Sequence, residues 1–220
     1  MKYIVKILAI RVITHNVKSF VLDKPENYKF IPGQYTEVSI NQPEWKDETR
    51  PFTFTSLPEE NILEFTIKKY DRNGVTQAIH ELDVGDELII EDITGTIQYK
   101  GPGVFIAGGA GITPFISILR DLAKKNQLKG NTLVFSNKTH KDIIIEHELK
   151  HYLGDNCLFT LTKESKEGYK NKRIDENFLK DKIMDFSQHF YICGPSRMVG
   201  ELQHTLRKLG ANPDLIVLET

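Results

Sequence analysis

Two segments of the chain carry residue types suited to a phosphorylated ligand with a flat ring. The first is Arg50-Pro51-Phe52-Thr53-Phe54-Thr55-Ser56, an arginine followed by three hydroxyls and two aromatic rings. A guanidinium pairs bidentately with phosphate, and a threonine hydroxyl can hydrogen-bond a heterocycle nitrogen. A strand's period of two puts Phe52, Phe54 and Ser56 on one face and Thr53 and Thr55 on the other. A half-buried edge strand with a solvated arginine has the same pattern. The second segment is Val104-Phe105-Ile106-Ala107-Gly108-Gly109-Ala110-Gly111-Ile112-Thr113-Pro114. It reads as a strand, a glycine turn and a helix start, with Thr113 as helix cap and Pro114 in the first turn. Free N–H groups and the helix dipole there favour a pyrophosphate. A tight strand-to-helix turn with no ligand reads the same way. The next buried run ends in Ser136-Asn137-Lys138, with no acid for a ribose 2′-hydroxyl, so the dinucleotide pattern is incomplete.

Three smaller features join these. Gly74-Val75-Thr76 opens the only helix expected in the first half and forms a second phosphate-cradle pattern. Cys193, at the end of an apolar run before Gly194-Pro195, has no candidate base beside it in sequence and reads as a packing or positioning residue. His147-Glu148-Leu149-Lys150-His151 has the spacing of a zinc-protease helix. A solvated helix face is the better reading of it, so no metal site is expected.

The elements that must position these residues divide into two halves. Up to about residue 93, β-branched strands are expected at Tyr3–Ile13, Val17–Leu22, Tyr35–Ile40, Pro51–Ser56, Ile62–Tyr70 and Glu87–Ile93, separated by turns such as Pro32-Gly33 and Gly85-Asp86. Such spacing suits an antiparallel barrel, with one helix from Thr76 to Leu82 capped by Thr76. After Gly101-Pro102-Gly103 strands and helices alternate, as in a parallel sheet covered on both faces. Helices are expected over Pro114–Asn126, Asp142–Tyr152, Asp175–Met184 and Ser196–Leu209. The expectation is two domains, an N-terminal antiparallel β-barrel over 1–98 and a C-terminal α/β parallel-sheet nucleotide-binding domain over 99–220. A net charge of −1 over 220 residues offers no field for nucleic acid or an anionic membrane. Two cysteines, Cys157 and Cys193, are too few for a plant-type iron–sulfur ligand set or a zinc ribbon. The amino terminus reads as a strand, no apolar run reaches membrane-span length, and a cytoplasmic location is expected.

Taken together, Pro32-Gly33-Gln34-Tyr35, Arg50 to Ser56, Gly74 to Thr76, Gly108 to Pro114, Cys193-Gly194-Pro195 and a glutamate near the C-terminus resemble the ferredoxin–NADP reductase superfamily over nearly the whole chain. The resemblance implies bound FAD, with NADH or NADPH as co-substrate. It implies that Arg50 and Pro51 lie at the flavin phosphates, that Phe52 stacks near the isoalloxazine, and that Thr53 bonds around flavin N5. Ile67 and Lys68, with Gly74, Val75 and Thr76, would complete the FAD site. Gly109, Gly111 and Thr113 would seat the nicotinamide nucleotide's pyrophosphate, with Cys193, Gly194 and Pro195 beside the nicotinamide. Thr53, Cys193 and Glu219 would flank hydride transfer. Three departures stand out: Phe52-Thr53 replaces the family's usual tyrosine–serine pair, the sequence ends Val217-Leu218-Glu219-Thr220 without a covering aromatic, and no attached iron–sulfur or haem domain is expected.

A 2′-phosphate subsite could draw on Thr162, Lys163, Tyr169, Lys170, Lys172 and Arg173, though residues 163–172 also read as an exposed loop. Asn137-Lys138-Thr139 followed by Asp142-Ile143-Ile144 looks more like the family's NADH-using branches, a slight lean to NADH. The function implied is an NAD(P)H-dependent flavoprotein reductase feeding a separate ferredoxin, flavodoxin or small-molecule acceptor. The alternatives are a reductase of diffusible flavin, or an electron-transfer subunit of a larger redox complex.

Overall fold

A computed structural model describes residues 1–70 and 74–218. It divides into two compact units, the first of Met1–Gln98 with Thr113–Asp121, the second of Tyr99–Ile112 with Leu122–Thr220.

In the first unit six strands, β1 (Tyr3–Thr14), β2 (Val17–Asp23), β3 (Tyr35–Ile40), β4 (Arg50–Thr53), β5 (Ile62–Lys68) and β6 (Glu87–Thr94), pair antiparallel in the order β4-β3-β6-β1-β2-β5. The ends of that row meet through a Phe54–Phe65 bridge and a hydrogen bond from Thr55 N to Glu64 O (2.8 Å), closing a barrel. Alternation fills it: Val5 and Ile7 of β1 are buried while Lys6 and Leu8 are exposed. Phe20, Phe54 and Phe65 are fully buried in the same core. Each such side chain contributes on the order of 1.5–3 kcal/mol of hydrophobic stabilisation.

The arginine strand is shorter than its pattern suggests. β4 ends at Thr53, and Thr53 through Ser56 are all buried, so the two-residue alternation fails. The cause is closure: beyond Thr53 the chain turns from β3 to β5, and both of its faces become covered. The short helix α1 is Val75–His80, not Thr76–Leu82. Gly74, in extended conformation, is its N-cap with no side-chain bond, and the Thr76 hydroxyl instead accepts from Tyr70 N (3.3 Å).

In the second unit β7 (Gly103–Gly108), β8 (Thr132–Asn137), β9 (Cys157–Leu161), β10 (His189–Cys193) and β11 (Ile216–Leu218) form a wholly parallel sheet in the order β11-β10-β7-β8-β9. Every residue of the central β7 is buried, as a strand covered on both faces requires. In sequence four helices follow β7: α2 (Thr113–Lys124), most of which belongs to the first unit, then α3 (Glu146–Leu153), α4 (Glu176–Lys182) and α5 (Ser196–Lys208).

Two helix starts differ from expectation. A 3-10 turn, Gly109–Ile112, fills the glycine loop, so Thr113 is the first residue of α2 rather than its cap. The helix expected from Asp142 begins at Glu146. Thr139 and Asp142 close a capping box around a separate 3-10 turn, and Ile145 takes a left-handed conformation (φ 46°). The left-handed backbone at Ile145 interrupts the helical run between the two turns, and Ile143 and Ile144 before it are both buried.

Candidate functional site

Polar groups along the arginine strand differ sharply in what is left to bind a ligand. The Thr55 hydroxyl is committed to Glu64 (2.7 Å to Oε1), and the Ser56 hydroxyl accepts from Glu64 N (3.0 Å). Phe54 is a core side chain, stacked on Phe30 at 4.3 Å between centroids, and has no face left for a cofactor. Thr53 is 6% exposed, and its hydroxyl makes no hydrogen bond among the described residues. Phe52 is half-buried at the edge of the core. Arg50 is exposed and, among the described residues, is bonded only to its neighbour's carbonyl (Thr49 O, 2.5 Å) and lies 3.9 Å from Glu48. Arg50, Phe52 and Thr53 thus share one short strand, set by β3 through the pairs Val38–Arg50, Thr36–Phe52 and Tyr35–Thr53.

Behind β5, Ile67 is fully buried, and its carbonyl takes a hydrogen bond from the His80 ring (2.9 Å). Only backbone is therefore available there, while Lys68 is half-buried. Val75 packs in the core, and a Cβ placed on Gly74 would meet nothing within 4 Å.

The glycines of the second unit do two different jobs. A Cβ on Gly111 would lie 2.4 Å from Cys193 O and 2.6 Å from Gly194 N, and one on Gly108 would strike Met198 Sδ at 2.6 Å and Pro195 Cδ at 2.9 Å. The turn after β7 therefore packs backbone against backbone on the turn after β10, which brings Gly108–Gly111 and Cys193–Pro195 together. Gly109 is the opposite case: it takes φ +54° and faces open space. Cys193, 6% exposed, ends β10 opposite Ala107. Glu219 lies outside the described residues.

At the ends of β8 and β9 the structure joins residues that sequence left far apart. Thr162 N and Oγ1 donate to Asn137 O (2.9 and 3.2 Å), and Lys163 N donates to Lys138 O (2.9 Å), which sets two exposed lysines side by side. Tyr169 donates to Glu146 (2.6 Å), a bond that pushes its phenol up to about 12. Residues 170–172 add a short parallel bridge to β9 through Thr160–Lys170. Glu164 accepts from His140 N (2.7 Å) and contacts its Nδ1 (2.8 Å), and these bonds hold its carboxyl below the usual range. This acid beside the end of β8 was missed by sequence reasoning, because nothing in a separation of 24 residues signals the pairing. His147 and His151 are exposed on α3, and among the described residues no group of three His, Cys, Asp or Glu side chains could hold a metal ion.

A closed antiparallel barrel with a basic, aromatic and hydroxyl-bearing strand, followed by a parallel sheet with an open glycine turn at its central strand, defines a two-domain flavin- and nicotinamide-dependent oxidoreductase. Residues 5–99 match the oxidoreductase FAD-binding domain family and residues 105–204 the oxidoreductase NAD-binding domain family. The chain belongs to the ferredoxin reductase-like family of FAD- and NAD-binding oxidoreductases. It is 26% identical over 220 residues to the ferredoxin–NAD(P)(+) reductase component of the naphthalene 1,2-dioxygenase system of Pseudomonas putida, covering 96% of this chain and 66% of that one. It is also 26% identical to NADH–cytochrome b5 reductase 1 of Arabidopsis thaliana, over 92% of this chain and 78% of that one. Among solved structures, a ferredoxin NADP+ reductase from Neisseria gonorrhoeae with bound FAD and NADP superposes with a TM-score of 0.85 at 22% identity, covering 99% of this chain and 97% of that one. FAD and a nicotinamide nucleotide are accordingly the cofactors of this chain. No helix among the described residues is long and apolar enough to cross a membrane.

Proposed function

We propose that this chain accepts hydride from NADH or NADPH onto bound FAD and passes single electrons to a separate acceptor, a ferredoxin, a flavodoxin or a small molecule. The carrying observation is the division of labour on the arginine strand: Thr55 and Ser56 are committed inside the barrel, while Thr53 and Arg50 are left with hydrogen-bonding capacity. When bound, the flavin supplies the switch from two-electron to one-electron chemistry.

The chain's own residues do the holding. Arg50 and Pro51 meet the flavin phosphates, Phe52 lies against the ring system, and Thr53 donates or accepts at the reacting edge. The backbone at Ile67 and Lys68, with Gly74, Val75 and Thr76, completes the FAD contacts; among the described residues nothing lies within 4 Å of a Cβ at Gly74, which fits that role. Gly109 leaves room for the nucleotide pyrophosphate, Gly111 keeps the turn seated on Cys193, and Thr113 starts the helix whose N–H groups face it. Cys193, Gly194 and Pro195 bound the nicotinamide pocket, with Glu219 near it. Hydride transfer depends on orientation more than on acid–base strength, so positioning residues suffice.

The test is anaerobic mixing of the purified yellow protein with NADH and NADPH in parallel. Bleaching of the flavin absorbance is expected. A protein that copurifies with FAD and is reduced by neither nucleotide overturns the reading, and one that reduces only added flavin is a reductase of diffusible flavin.

A further inference from the structure

The barrel holds a buried carboxylate with no part in the roles above. Glu64 on β5 is 8% exposed, and its Oε1 takes hydrogen bonds from the Thr55 hydroxyl (2.7 Å) and from Arg120 Nη1 (2.8 Å). The same Nη1 donates to the Thr55 carbonyl (2.7 Å), two residues beyond Thr53. Arg120 lies two turns into α2, and residues 113–121 belong to the barrel's unit. One turn earlier on that helix, the fully buried Ser117 accepts from Gly33 N (3.1 Å). Gly33 itself takes φ +96°, and a Cβ there would stand 2.3 Å from Ile97 O, so that contact has no room to slide.

A buried ion pair is weak evidence of added stability, because apolar residues of similar volume often serve as well or better. What a guanidinium adds is direction, since one fork nitrogen meets a backbone carbonyl and a carboxylate at fixed angles. We propose that the Arg120–Glu64 pair is a positioning device that fixes the first turns of α2 in one register against the strand bearing Thr53, and so holds the helix start at Thr113, which meets the nucleotide pyrophosphate in the reading above, at one place on the barrel. The device rests on the functional reading above and deepens it. A shift of one side chain's length in α2 moves its first turn with it, and displacements near 1 Å cost up to about a hundredfold in rate.

Flavin-loaded protein is compared as wild type, as Arg120→Lys, and as the double variant Arg120→Met with Glu64→Leu, which leaves no unpaired buried charge. Three quantities are read: FAD content, the Kd of the unreactive oxidised nucleotide by titration, and the limiting rate of flavin reduction at saturating NAD(P)H. The expected result is unchanged FAD content, a Kd within about twofold, and a limiting rate lowered about tenfold to a hundredfold in the double variant, less in Arg120→Lys. If the double variant fails to hold FAD, Arg120→Lys must show the same split between rate and Kd. An unchanged limiting rate overturns the positioning role, as does a Kd that weakens in step with the rate. A wild type that neither nucleotide reduces overturns the functional reading first, and the positioning role with it.

Discussion

Single residues decide what each half of the chain has left to offer a ligand. Gly111 and Gly109 stand two positions apart in one motif, yet substitution is expected to separate them. Gly111→Ala drives a methyl into Cys193 O and Gly194 N, neither of which can yield, and costs about 1–3 kcal/mol as overpacking. Gly109→Ala meets no atom and costs about 1 kcal/mol for the left-handed backbone, but places its methyl in the open space over the turn. Thermal midpoints together with Kd values for the oxidised nucleotide check the pair: Gly111→Ala lowers the midpoint more, and Gly109→Ala weakens nucleotide binding at nearly full stability. Thr53→Val keeps the shape of a buried threonine and removes its hydroxyl. FAD content is expected to hold while the reduction rate falls about tenfold, the equivalent of one positioned hydrogen bond of ~1.4 kcal/mol. The residue types of this site were legible in the sequence. Which hydroxyl stays uncommitted was not, because the partner that occupies Thr55 and Ser56, Glu64, arrives from another strand by barrel closure.

Elements show where sequence periodicity holds and where tertiary demands override it. Most strands of both sheets and the helices α2 and α5 fall close to their patterns, whereas β4 stops at Thr53, where both faces of the chain become covered. The helix expected from Asp142 starts only at Glu146, because Thr139 and Asp142 close a separate 3-10 turn and Ile145 takes a left-handed conformation. At the end of α1, burial lowers the His80 ring below its ordinary value of 6.5, Lys18 and Lys69 lower it further, and the Ile67 carbonyl opposes the shift. The fold thus prefers the neutral ring. Its contribution is full above the unfolded value near 6.5 and is lost as pH falls through that value toward the lower folded one. Urea midpoints measured from pH 7.5 to 5.5 are expected to fall, and His80→Gln to flatten the slope. In the second unit the Tyr191 hydroxyl accepts from Lys100 N (2.9 Å) and Gly101 N (3.1 Å) and donates to Gly101 O (2.8 Å). Tyr191→Phe leaves two backbone N–H groups without their acceptor, at a cost of about 1–3 kcal/mol. Tryptic cleavage after Lys100, followed by gel electrophoresis, is expected to accelerate in that variant.

At the scale of the molecule, the change from strands alone to strands alternating with helices was readable without coordinates, since it rests on local periodicity. The membership of residues 113–121 was not readable. They lie in sequence beyond the first strand of the parallel sheet, yet Ser117 bonds to Gly33, and Arg120 to Thr55 and Glu64. That single segment changes how the protein can be taken apart. A fragment ending at residue 98 keeps every barrel strand but strips Arg120 from Glu64 and Thr55, leaving the carboxylate the more distant, exposed Arg11 (4.0 Å) in place of Arg120 at 2.8 Å. Expressed alone, it is expected to unfold at a lower urea concentration than the barrel within the full chain, and to recover in part when a peptide spanning 113–121 is added in trans. A cut between the two sheets is therefore a seam in the gene and not in the folded object. Exchange of halves between related reductases, whether by recombination or by design, preserves this barrel only when the donor of the first ninety-odd residues also supplies the helix that follows the glycine turn.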